Sequence, residues 1–285
     1  MSQCAGCNRP FESRRRGSHR RYCSDKCKQA VYRVRNNVRG DTAVTNLPPL
    51  YDQDDTVTLY HSDNTVLLPL LAPHRVDLAL TDPPYNVANA DIRLQGGAVR
   101  MVRDFGAWDK QGWHPAALLA PVARLLRPGG SLIAFTSPQL LSWYTLAAAL
   151  PLRGSIIWLK TNPAMQFRPG YMKCVEHIVW LAQPGAPAIW NGDGVTRNVF
   201  AYPIVQGREH TAHPTQKPLR LLKDLVRLHN NAGDRILDPF AGSGTTLWAS
   251  QDLGRKAVGI EMDERHCAIA AQRLAQGVFT FDDVA

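Results

Sequence analysis

Residues 235–261 constrain the fold more than any other stretch of the chain. Arg235-Ile236-Leu237 reads as a short apolar strand ending at Asp238, and Pro239-Phe240-Ala241-Gly242-Ser243-Gly244 as a Gly-rich turn. A helix is expected over 245–253, and a second strand over 256–260 that ends at Glu261. Strand, tight turn, helix and strand in this order make a βαβ unit of a parallel sheet, whose ligands sit at the carboxyl ends of the strands. The rest of the chain from Thr56 onward follows the same alternation. Strands are expected at 57–60, 76–81, 131–135, 155–159 and 177–181, and helices at 115–126, 139–150, 216–229 and 264–274. The expected architecture is α/β: a Rossmann-like, mixed but mostly parallel seven-stranded sheet with helices on both faces.

Three ligands compete for the Gly-rich turn. A phosphate-binding loop needs Lys after the last Gly, where Thr245 stands. A dinucleotide fingerprint needs a third Gly at 247, which is Leu. The third ligand is S-adenosylmethionine, whose ammonium group calls for an acid at the strand end; Asp238 meets that need. Glu261, at the end of the next strand, is placed to accept both ribose hydroxyls, although taken alone it could equally be a surface acid.

Thr81-Asp82-Pro83-Pro84-Tyr85-Asn86 follows the strand at 76–81. A Pro-Pro pair can simply end a strand, but the quartet Asp82–Tyr85 also suits one reaction. The exocyclic amine of a nucleobase is a poor nucleophile because its lone pair is delocalised into the ring. Asp82 and the Pro83 carbonyl offer two acceptors for its two N–H groups, and the prolines fix φ and hence those acceptors. Tyr85 offers a flat face to a base that has left the duplex stack.

These motifs together resemble the amino-group (adenine N6 or cytosine N4) DNA methyltransferases, in the β-type order with the catalytic motif first. The resemblance covers about residues 56–276. It implies that Asp82, Pro83, Pro84 and Tyr85 are catalytic, and that Asp238, Phe240, Ala241, Gly242, Ser243, Gly244, Thr245, Thr246 and Glu261 hold S-adenosylmethionine. His213-Pro214-Thr215-Gln216-Lys217-Pro218 matches the family segment that closes over the methionine end, with Thr215 and Lys217 as partners of its carboxylate. His61-Ser62-Asp63 matches the acidic position near the cofactor adenine, and Phe105–Asp109 the aromatic-acid segment after the catalytic loop. Asp at the head of the tetrapeptide favours adenine N6, because family members acting on cytosine N4 more often carry Ser there. Cytosine N4, an RNA base, a protein amide or an inactive DNA-binding regulator stay open as alternatives.

The N-terminus departs from the family pattern. Residues 1–40 hold nine Arg and two Lys against Glu12 and Asp25, so they carry the entire formal net charge of +9, and the remainder of the chain is neutral. Such a segment attracts a polyanion by releasing counterions, or merely aids solubility. Cys4-x2-Cys7 and Cys23-x3-Cys27, fifteen residues apart, have spacing close to that of a structural zinc site, and residues 21–33 resemble small treble-clef zinc modules. The expectation is a Cys4 zinc module at 1–40, a linker at 41–55 and a methyltransferase domain at 56–285. With four thiolates around one zinc ion the module would keep about +7.

Two polar stretches interrupt the alternation, 86–112 and 183–212, and are expected to contact DNA. Arg93, Arg100, Arg103, Arg197 and Arg208 could reach phosphates or base edges there, or be solvated charges. DNA is the expected partner; a second copy of the chain and a separate restriction endonuclease are left open. No apolar run approaches the roughly 18–20 residues that span a bilayer, and no secretory signal is evident, so a cytoplasmic location is expected.

Overall fold

A computed structural model of the chain describes residues 2–3, 10–11, 47–48, 50–85, 113–146, 149–163, 169–211 and 215–276. The chain divides into two compact units, Met1–Leu47 and Pro48–Ala285. In the first, β1 (Ser2–Gln3) pairs antiparallel with β2 (Pro10–Phe11). Cys4, Cys7, Cys23 and Cys27 lie outside the described residues, as does the family-like segment Phe105–Asp109.

The second unit is built on a single sheet. Its strands are β3 (Leu50–Gln53), β4 (Val57–His61), β5 (Val76–Thr81), β6 (Leu126–Thr136), β7 (Leu152–Lys160), β8 (Val175–Ala182), β9 (Val199–Tyr202), β10 (Arg235–Asp238) and β11 (Lys256–Glu261). They lie in the order β3-β4-β11-β10-β5-β6-β8-β7-β9. Only β3 and β8 run against the others. Among the described residues the sheet therefore has nine strands, not the seven expected. The two additional strands are four-residue edges, β3 and β9, whose side chains are at most half-buried. Short edges of this kind carry no apolar run, and they fall within stretches whose composition suggests linker and loop.

Alternation along the central strands divides the core between the two faces. Leu78, Leu80, Ile133 and Phe135 pack on one side with α4 (Leu219–His229), α5 (Thr245–Asp252) and α6 (Glu264–Ala275). Ala79, Leu132 and Ala134 pack on the other with α1 (Asn64–Leu67), α2 (Ala116–Leu125) and α3 (Leu141–Thr145). The apolar stripe of α4 shows why it docks there: Leu221, Leu222, Leu225 and Val226 recur at helical spacing, and all are buried. No helix among the described residues is long and apolar enough to cross a membrane.

Because β4, β5, β10 and β11 are parallel neighbours, their last residues meet at one edge of the sheet. His61, Thr81, Asp238 and Glu261 end these strands, so the sequence motifs converge where a parallel sheet opens to a ligand.

Candidate active site

A cleft at this edge is lined by residues from both motifs, among them Asp63, Asp82, Pro84, Thr215, Lys217, Asp238, Phe240 and Glu261. Ala241, Gly242, Ser243, Thr245 and Thr246 line it too, while Gly244 stands behind as the N-cap of α5. Gly242 (φ 50°) and Gly244 (φ 77°) both occupy the left-handed region, which gives the turn its tight bend. A Cβ on Gly244 would also lie 2.8 Å from the Ala270 Cβ, so α5 and α6 approach through this glycine.

Glu261 is fixed by the turn itself. The Gly242 N–H donates to Oε2 at 2.8 Å, and the Asp263 N–H to Oε1 at 2.8 Å. Burial works to raise this carboxyl, but hydrogen bonds from His266, Asp263 and Gly242 outweigh it and hold the carboxyl below its usual value. Glu261 is thus an ionised acceptor, and carboxylate oxygens have room for further donors such as hydroxyls.

Asp238 is the opposite case. It is only 3% exposed and accepts from Thr81 Oγ1 at 2.8 Å and from the Phe240 N–H at 3.1 Å. Burial outweighs these bonds and a further one from Thr246, and pushes its carboxyl up to about 6. A buried carboxylate held by neutral donors is short of positive charge, and an ammonium group supplies it. Together with the ionised acceptor one strand away, this pair of carboxylates fits the ammonium and ribose hydroxyls of S-adenosylmethionine.

Asp63 lines the same cleft and caps α1, accepting from the Thr65 N–H at 2.8 Å. Thr215 lines it as well. Phe240 meets the ring of Trp113 edge-on at 5.9 Å, which adds Trp113 to the lining just beyond the polar stretch 86–112.

Around Asp82 the structure assembles a cluster that sequence reasoning does not foresee. Tyr85 Oη lies 2.8 Å from Asp82 Oδ1 and 3.1 Å from Glu176 Oε2, so its single proton is shared between the two carboxylates, with Asp82 the nearer acceptor. Lys217 Nζ pairs with Asp82 Oδ2 and lies 3.5 Å from Glu176, whose other oxygen is 2.7 Å from Lys160 Nζ. The resemblance makes Lys217 a partner of the cofactor's carboxylate; in the structure its ammonium turns to Asp82 and Glu176. It also sits 5.3 Å from the ring centre of Tyr85 and 5.1 Å from that of Phe135. Burial would lower its pKa, but the two carboxylates outweigh burial and raise it, so Lys217 stays charged. Burial raises the Asp82 carboxyl, Lys217 opposes the rise and Glu176 adds to it. Of the two prolines, Pro84 lines the cleft and Pro83 is buried.

Arg273 of α6 supports the Gly-rich turn, also without a sequence signal. Its guanidinium donates to the Ser243 carbonyl at 2.7 Å, to Ser243 Oγ at 3.2 Å and to Thr245 Oγ1 at 3.1 Å, clamping the turn from behind. Arg197 is exposed; Arg93, Arg100, Arg103 and the side chain of Arg208 lie outside the described residues. Among the described residues no group of three or more His, Cys, Asp or Glu could hold a metal ion.

Comparison with known proteins agrees with this geometry. Residues 76–272 match the N6/N4 DNA methylase family profile. The chain is 31% identical to the type II methyltransferase M2.DpnII of Streptococcus pneumoniae, over 85% of this chain and 97% of that one. It is 30% identical to the type II methyltransferase M2.LlaDCHI of Lactococcus lactis subsp. cremoris, over 80% and 93%. The crystal structure of an M1.HpyAVI–SAM complex superposes with a TM-score of 0.58 at 26% identity, covering 76% of this chain and 99% of that one. The chain belongs to the N6/N4 DNA methylase family.

Proposed function

We propose that the protein transfers the methyl group of S-adenosylmethionine to N6 of an adenine turned out of the DNA duplex. One observation carries this reading: Asp82, an acceptor for an amine, and Asp238, an anchor for an ammonium group, open into one cleft. The relatives support it. M2.DpnII and M2.LlaDCHI are named type II methyltransferases, and a third relative, 26% identical, is named DNA adenine methyltransferase YhdJ of Escherichia coli.

S-adenosylmethionine, when bound, supplies a methyl group on a positively charged sulfur. Asp238 would hold its ammonium and Glu261 its ribose, with Asp63 toward the adenine and Thr215 at the methionine end. Asp82 accepts one N–H of the target amine and the Pro83 carbonyl the other, so that the nitrogen lone pair points across the cleft. Tyr85 stacks on the base while its hydroxyl holds Asp82. Rate then comes from positioning and fixed charge.

The basic N-terminal segment completes the proposal. Cys4, Cys7, Cys23 and Cys27 bind one zinc ion, and the folded module adds positive charge for phosphate contact. A separate restriction endonuclease would be the partner in a modification system like those the names of the relatives suggest.

Modification-sensitive sequencing of DNA from an expressing host tests the function directly. N6-methyladenine in a fixed sequence context is expected, and its loss in Asp82→Ala. N4-methylcytosine instead would overturn the choice of base. For the module, one zinc per chain and a shallower salt dependence of DNA binding after deletion of residues 1–40 are expected; identical slopes would remove its DNA role.

A further inference from the structure

The cluster at Asp82 contains more charge than the acceptor role of one carboxylate needs. Two carboxylates, Asp82 and Glu176, alternate with two ammonium groups, Lys217 and Lys160, and Tyr85 bridges both acids. Lys217 comes from the residues just before α4, Glu176 from β8 and Lys160 from the end of β7, so three separate elements converge on the tetrapeptide. Asp82 also faces Asp238 across the strand ends and Tyr144 of α3. Neither of these supplies positive charge.

We propose that Lys217, oriented by Glu176 and Lys160, is a positioning residue of the methyl transfer that keeps the Asp82 carboxylate ionised and fixed for the target amine. The inference deepens the reading of Asp82 as the amine's acceptor and rests on it. The physical need is specific. A protonated Asp82 has a donor where the amine requires an acceptor, and the surroundings push this carboxyl toward protonation. Lys217 is the cation in contact with it, and with a side chain only 6% exposed it cannot be replaced there by bulk water. Glu176 restrains the ammonium from the far side, and Lys160 balances Glu176.

The charge pattern makes opposite expectations for two variants. Lys217→Met leaves net negative charge beside Asp82 and should move its titration upward by about one unit or more. Glu176→Gln leaves net positive charge and should move it downward. Carboxyl-carbon NMR titration of the cofactor-free protein reads this directly, with the Asp82 signal assigned through Asp82→Asn. Single-turnover methylation with S-adenosylmethionine already bound should show the acid limb moving in the same two directions. Lys217→Arg should restore most of the wild-type profile. Cofactor affinity, measured by calorimetry, should stay within about threefold for Lys217→Met, less than the loss of one charged hydrogen bond.

An Asp82 titration unmoved in both variants would overturn the proposal. So would a tenfold or greater loss of cofactor affinity in Lys217→Met with Asp82 unmoved, because Lys217 would then serve the cofactor's carboxylate. Full activity of Asp82→Asn would instead remove the underlying role of Asp82, a different result from either.

Discussion

Thr81 Oγ1 donates a 2.8 Å hydrogen bond to Asp238 Oδ1, tying the end of β5 to the end of β10. The bond links residues 157 positions apart and joins the Asp82 side of the cleft to the Asp238 side. Both partners are buried, at 1% and 3% exposure, so water cannot replace either.

Thr81→Val keeps the shape of the side chain and removes this donor. Losing a hydrogen bond to a charged group is expected to weaken S-adenosylmethionine binding by about 1.5–3 kcal/mol, because the Asp238 carboxylate proposed to meet the ammonium becomes harder to ionise. Calorimetry at neutral pH checks this, with Asp238→Asn as the stronger reference.

Cofactor affinity should also depend on pH through Asp238. Its carboxyl titrates at about 6 in the free protein, and a bound ammonium group favours the ionised form. Affinity is then full above pH 6 and falls as pH drops through that value, approaching about tenfold per unit once Asp238 is protonated. Binding isotherms from pH 5 to 8 read this, and Asp238→Asn should flatten the profile.

Arg273→Met should loosen the Gly-rich turn without touching the ligand. The change removes three hydrogen bonds to Ser243 and Thr245 and leaves the buried Ser243 carbonyl unpaired, at a cost of about 1–3 kcal/mol. Chemical denaturation of the cofactor-free protein measures the loss. Burial brings the guanidinium down to about 10, with Glu209 opposing the shift, so Arg273 stays charged at neutral pH.

Gly244→Ala should fail on two independent grounds, its φ of 77° and the 2.8 Å approach to the Ala270 Cβ. A loss of stability of about 1–3 kcal/mol is expected. Adding Ala270→Gly removes the closest contact, leaving the Ala270 Cα at 3.2 Å and the backbone strain, so the double variant, judged against Ala270→Gly alone, should recover only part of it. Thermal unfolding of these variants separates the contributions.

The seven expected strands are legible in the sequence because each carries a short apolar, β-rich stretch, down to Ile236-Leu237 in the four-residue β10, and the Asp238 and Glu261 positions because they end such stretches. β3 and β9 escape because an edge strand of four half-exposed residues has no pattern to find. Glu176, Lys160 and Arg273 escape for a different reason. Each looks like an ordinary charge at the end of a strand or helix, and only the folding of distant elements onto one point gives it a partner. Lys217 stands between these cases: its motif places it at the cleft, yet its partners come from β8 and the tetrapeptide.

The order of the strands bears on how the chain is made. β4 and β5 are synthesised early, but they do not touch; β11 and β10, from residues 235–261, fill the space between them. Until those last segments leave the ribosome, β4 and β5 each present an unpaired edge, the kind of surface that pairs wrongly with other chains. A nascent chain stopped near residue 230 therefore lacks the middle of its own sheet, which cannot close until residues 235–261 are available.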